Sequence, residues 1–120
     1  VTGTVSDIRP FVAKAAVYVV PLRVGGGTRL KIFEALAMGK AVVSTGVGAE
    51  GLPVLPGEHY IRADTPEDFA RSVVMLVKDP SRRQALGAAG RRLVEARYSW
   101  AEVAREFEAL CHEVLTLRAR

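Results

Sequence analysis

Ala16-Val-Tyr-Val-Val20-Pro-Leu-Arg-Val-Gly25-Gly-Gly-Thr-Arg-Leu30-Lys-Ile-Phe-Glu34 is the stretch on which the fold turns. Ala16 to Val20 is a short, continuous apolar run rich in β-branched residues and ended by Pro21. Such a run suits a strand covered on both faces of a parallel sheet. Three glycines follow, and from Thr28 the apolar spacing changes to that of a helix. Leu30, Phe33 and Ala37 recur at i, i+3 and i+7, and Gly39 stands where a helix C-terminal glycine belongs.

Working outward, Ala41-Val-Val-Ser44 is a second buried strand, and a loop rich in Gly and Pro runs from Thr45 to Gly57. His59 to Arg62 reads as a third short strand. Upstream, Val1 to Val5 reads as the end of a strand, and Asp7 caps a short helix reaching about Ala15, with Pro10 in its first turn. Downstream the chain is helical. Thr65 caps a helix opened by Pro66 and stopped at Asp79-Pro80, with Phe69, Val73, Leu76 and Val77 as its apolar stripe. Ser81 to about Arg97 forms the next, carrying Leu86, Leu93 and Val94. Ser99 caps the last, on which Val103, Phe107, Leu110, Val114 and Leu117 mark one face. Strands alternating with helices and then helices alone give an α/β fold with a short parallel sheet in three layers. Three strands and a fragment make half of a doubly wound sheet, and no Met opens the chain. An upstream half is therefore expected to be missing.

Composition narrows the class. Of the 120 residues 49% are hydrophobic and 25% charged, which excludes a disordered chain. The single Cys111 forms no intrachain disulfide and suits a reducing, cytoplasmic setting. Val1 to Val5 lack the basic head and apolar stretch of a signal peptide, and no membrane-spanning run is expected. The net charge of +4 owes much to Arg82, Arg83, Arg91, Arg92, Arg97, Arg118 and Arg120. Arg spread along helices, with no interleaved aromatic residues, reads as a solvated face, and no nucleic-acid partner is expected.

Chemistry concentrates after Val20. A strand enters a glycine loop that opens onto a helix, whose first-turn N–H groups and dipole make an anion site. Thr28 is placed to cap or to bond an oxygen, and Arg29 and Lys31 add positive charge. Gly27, Lys31 and Glu34 share a helix face, so phosphate at the tip and ribose hydroxyls at Glu34 make a coherent nucleotide geometry. The same residues also fit a plain surface turn, with Glu34 paired to Lys31 for about 0.2–0.5 kcal/mol. Local reasoning leaves both open. Glu50 in Gly-Ala-Glu50-Gly is equally a cleft residue or a solvated carboxylate. His59 and His112 stand alone and read as surface or packing residues, so no metal or cofactor is expected. Trp100 reads as a packing anchor and Cys111 as a small apolar filler.

Gly25-Gly-Gly-Thr-Arg-Leu-Lys-Ile-Phe-Glu34-Ala-Leu-Ala-Met-Gly39-Lys-Ala-Val-Val-Ser-Thr45 resembles the signature of retaining GT-B glycosyltransferases of family 4. Val1-Thr-Gly-Thr-Val-Ser-Asp7, Gly46-Val-Gly-Ala-Glu50-Gly51 and Asp79-Pro80 through Tyr98-Ser-Trp100 match it in order, over nearly the whole chain. The resemblance implies two Rossmann-like domains facing a cleft. Residues 1–120 would be the second half of the C-terminal, donor-binding domain, without the acceptor domain and inactive alone. It implies transfer, with retention, from a nucleotide-diphosphate sugar to a glycan, lipid or other acceptor, without a metal. The full-length enzyme would be cytoplasmic or peripheral at the inner membrane.

By position, the resemblance puts Gly26, Gly27, Thr28, Arg29 and Lys31 at the donor diphosphate and Glu34 at the ribose. Val5 and Asp7 would lie on the nucleobase side, and Glu50 in the cleft. The family often carries a glutamate eight residues before this one, where Gly26 stands here, so the sugar contact must come from elsewhere. No residue is assigned a catalytic role. A stand-alone nucleotide- or anion-binding module and a protein-interaction domain are the competing readings. The strand Ala16 to Val20, lacking a neighbour, is expected to join two copies along its edge or through a swap of Val1 to Ala15.

Overall fold

The computed structural model describes residues 1–118, so Arg120 of the basic series lies outside them. The element order is α1 (Arg9–Lys14), β1 (Tyr18–Val20), α2 (Leu30–Ala37), β2 (Val42–Ser44), β3 (Ile61–Arg62), α3 (Pro66–Lys78), α4 (Pro80–Arg97) and α5 (Trp100–Arg118). The three strands are parallel in the order β1-β2-β3, with Val19 opposite Val43 and Val43 opposite Ile61.

Alternation along the central strand builds two cores. Val42 faces Val20, Ile32, Ala35, Leu36 and Tyr60 on the α2 side. Val43 faces Ala41, Ala63, Leu76 and Leu86 on the α3 side. Both valines are fully buried, as the apolar run predicts. β1 departs from that expectation. Val19 is about half exposed, because α3 packs on β2 and leaves the outer face of the first strand uncovered. Val1 to Val5 is not a strand, and β1 pairs with β2 alone. Tyr18 N–H donates to Ala41 O and Thr45 N–H to Val20 O. The backbone groups of Val19 therefore point to the open edge.

The buried face of α2 is Ile32, Ala35 and Leu36, and not the expected Leu30, Phe33 and Ala37. Leu30 and Ala37 are exposed, while Phe33 is half-buried against Tyr98, ring centroids 4.8 Å apart. Two periodic sets lie about 140° apart on this helix, and the one whose members reach the sheet together wins. The C-terminus closes as expected: Gly39 N–H donates to Leu36 O and Lys40 N–H to Ala35 O. That pair of bonds is the Schellman motif, and it places Gly39 at φ +66°, where a Cβ is disfavoured.

Thr65 and Ser99 cap as expected, while Asp79, read only as the stop of α3, also caps α4, which starts at Pro80 and not Ser81; at α1 the N-cap is Ile8, without a side-chain cap bond, and not Asp7. Thr65 Oγ1 accepts from Asp68 N–H at 3.2 Å, Asp79 Oδ1 from Arg82 N–H at 2.9 Å, and Ser99 Oγ from Glu102 N–H at 3.3 Å. On α3, Phe69, Val73 and Leu76 pack inward, but Val77 is exposed. α4 lies against α2 through Gly87 and Gly90: a Cβ at Gly87 would sit 2.0 Å from Gly39 O. α5 runs clear of the body and buries no residue. Its face of Val103, Phe107, Leu110, Val114 and Leu117 is exposed. Trp100 is 89% exposed, so it is not a packing anchor. Cys111 is exposed as well, and not a filler. Among the described residues no helix is long and apolar enough to cross a membrane.

Candidate functional site

The C-terminal ends of all three strands open to one side, where ligands of parallel α/β sheets gather. From β1 the chain runs through Pro21 into Gly25–Thr28, which is loop and not strand. α2 begins one residue later than Thr28 would set it: Arg29 is the N-cap, with no side-chain cap bond. The carbonyl of Arg29 accepts Ile32 N–H, a tight first turn. Gly26 and Gly27 have open space on the side where a Cβ would stand, and Thr28 is exposed.

Among the described residues Arg29 is the most deeply placed cation, 5% exposed. Its Nη1 donates to Gly26 O at 2.6 Å, Nη2 to Gly25 O at 2.9 Å and Nε to Val47 O at 3.2 Å. Among the described residues no carboxylate pairs with it. Lys31 is exposed, and no ion pair joins it to Glu34.

Glu34 is exposed one and a half turns along α2 and takes part in no ion pair among the described residues. It lines a groove of about 470 Å³ with Ser6, Asp7, Val12, Tyr18 and Met38. The structure thus brings Glu34 together with Asp7. Val5 is half-buried beside that segment and is not part of the groove wall. Asp7 accepts Arg9 N–H at 2.9 Å and its guanidinium at 3.0 and 2.9 Å, which holds the carboxyl below its usual range. Asp7 thus lines the groove with its carboxylate engaged by Arg9.

Tyr18 was not singled out from sequence, although a hydroxyl inside an apolar run was the available signal. Burial and then the charge of Glu34 push its phenol up from the usual value, so the hydroxyl stays a donor in the groove.

The loop after β2 is tied to the loop after β1. Thr45 Oγ1 donates to Leu22 O at 2.5 Å and accepts Gly48 N–H at 3.0 Å. Asp64 accepts Gly46 N–H at 2.6 Å and Arg62 Nε at 2.6 Å, and these, the amide first, draw its carboxyl below the usual range. Glu50 is exposed on a separate depression, with Val47, Tyr60 and Arg62. His59 is buried, and its Nδ1 accepts Leu55 N–H at 3.0 Å, a packing role within that loop. No group of three or more His, Cys, Asp or Glu side chains is arranged around a metal position among the described residues.

Residues 1–79 match the family model described as glycosyl transferases group 1. The chain is 32% identical over 101 residues to the GDP-mannose-dependent monoacylated alpha-(1-6)-phosphatidylinositol monomannoside mannosyltransferase of Corynebacterium glutamicum, covering 78% of this chain and 26% of that protein. It is 22% identical over 88 residues to an uncharacterized glycosyltransferase of Methanocaldococcus jannaschii, covering 72% of this chain and 22% of that one. The chain therefore spans about a quarter of the length of these curated relatives. Sucrose-phosphate synthase of Thermosynechococcus elongatus superposes with a TM-score of 0.77 at 25% identity, over 92% of this chain and 28% of that structure. The α/β fold with its short parallel sheet is part of a GT-B architecture.

Proposed function

The chain belongs to the glycosyl transferases group 1 family, and from that premise we propose that it is the second half of a C-terminal donor-binding domain. It holds the nucleotide-diphosphate sugar while an upstream domain presents a glycan or lipid acceptor. The diphosphate lies over Gly26, Gly27 and Thr28 at the start of α2, with Lys31 beside it. The ribose hydroxyls meet Glu34, and the base lies towards Val5–Asp7. The support for this reading is that Glu34 shares one groove with Asp7 and carries no ion pair among the described residues.

The chemistry is electrostatic. Amides of the glycine loop and the positive end of α2 stabilise charge on the departing nucleoside diphosphate, with retention at the sugar. The fragment alone lacks the acceptor side and is inactive. The intact enzyme works in the cytoplasm or at the inner face of a membrane. The open edge at Val19 fits a dimer of the isolated chain.

The test is Glu34→Ala in the full-length enzyme, titrated with UDP, GDP and their 2′-deoxy forms. One charge-assisted hydrogen bond is worth about 1.5–3 kcal/mol, so affinity for the preferred ribonucleotide falls about tenfold or more. The deoxy form loses less. Equal affinity in wild type and variant overturns the assignment of Glu34.

A further inference from the structure

Arg29 is 5% exposed, and its guanidinium is spent on three main-chain carbonyls, none of them in its own helix. A side chain placed this way does not reach a ligand. Its effect on the loop follows from the peptide unit. In a trans peptide the C=O and the next N–H point to opposite sides, and no peptide bond here is cis. Gly25 O and Gly26 O are turned inward onto Nη2 and Nη1. The amides of Gly26 and Gly27 must therefore point away from the guanidinium, at two residues that are exposed. Without the fork, each of these peptide planes is free to turn over, because glycine tolerates either orientation.

We propose that Arg29 is a positioning residue for the donor diphosphate: it fixes the two successive outward amides of Gly26 and Gly27 that grip the phosphates, and itself touches none of them. This rests on the donor-binding reading above. The third bond, to Val47 O, locks the glycine loop to the loop after β2, which Thr45 anchors to Leu22. The two loops at the strand ends are thereby one unit. The cation sits behind the amides with no carboxylate to neutralise it among the described residues. A buried charge so placed favours an anion in front of the loop, and preformed donors spare the ligand the cost of ordering them.

The experiment uses the full-length enzyme. UDP, GDP, uridine and guanosine are titrated into wild type, Arg29→Ala and Arg29→Lys, and amide exchange at Gly26 and Gly27 is followed in wild type with and without nucleotide. Arg29→Ala is expected to weaken the preferred diphosphate about tenfold or more while its nucleoside binds as before. Arg29→Lys falls between, since an ammonium keeps the charge but not the fork. If Arg29→Ala does not fold, Arg29→Lys carries the same comparison. Nucleotide slows exchange at both glycines. Equal losses for diphosphate and nucleoside, unchanged binding, or unprotected glycine amides would each overturn the proposal. Wild type binding diphosphate no better than nucleoside would sink the donor reading itself, which the variants cannot be confused with.

Discussion

Adding one methyl group at Gly87 is expected to unlatch α4 from α2. A Cβ there would stand 2.0 Å from Gly39 O and 2.8 Å from Gly39 C, where ordinary contact begins at 3.4 Å. Both near atoms are backbone, and Gly39 O belongs to the turn that closes α2. Neither can swing aside as a side-chain tip would, so the helices must part by about 1.4 Å along that line. Overpacking of this kind costs about 3 kcal/mol at the upper end of its usual range. Replacing a helical Gly by Ala returns about 1 kcal/mol through propensity. The net loss is about 2 kcal/mol, which lowers the thermal midpoint by roughly 10 °C in a chain of this size. The assay is urea and thermal unfolding of Gly87→Ala, followed by circular dichroism. Ala88→Gly, on the exposed side of the same helix, is the control. It removes a methyl and loses only the propensity, about 1 kcal/mol. A Gly87→Ala midpoint equal to or above wild type would refute the close approach of the two helices.

Thr65→Ala removes the side-chain cap of α3 and is expected to cost about 1 kcal/mol in urea unfolding. Asp64, its carboxyl lowered by Gly46 N–H and Arg62, contributes stability present above its ordinary value of 3.8 and lost as pH falls through the lower folded value. The Gly46 amide resonance should therefore move in acid only below that ordinary value, and Asp64→Asn should abolish the transition. Val19→Pro deletes the outward N–H of β1 while leaving the bonds of Tyr18 and Val20 to β2. Light scattering of the isolated chain should find a dimer at high concentration for wild type and a monomer for the variant; a wild-type monomer refutes edge pairing.

Elements defined by local chemistry were legible in the sequence. Thr65 and Ser99 announce helix starts because a cap needs only its own first turn, whereas Asp79, read as the stop of α3, also caps α4. Gly39 announces a helix end for the same reason. β1 and β2 followed from unbroken apolar runs, while β3 is shorter than the His59 to Arg62 stretch read as a strand. What required the third dimension was which face of a helix meets a partner. α2 carries two plausible apolar sets, and only the position of the sheet selects Ile32, Ala35 and Leu36. α5 has a stripe as clear as that of α3, yet nothing among the described residues covers it. The strand read into Val1–Val5 has no neighbour to bond, and a strand is not a local object. At the site, the glycines and Glu34 stood out through their spacing. The inward turn of Arg29 did not, because a guanidinium beside a glycine loop is written the same way whether it faces the loop or the solvent.

α5 has a practical consequence. A lone helix of its 19 residues is near the length at which water and backbone entropy balance helix formation. Its winding is therefore an internal gauge. Far-ultraviolet ellipticity from this arm should rise whenever something shelters Phe107 and Leu110, and fall when they are left wet, while the strands and α2 register nothing.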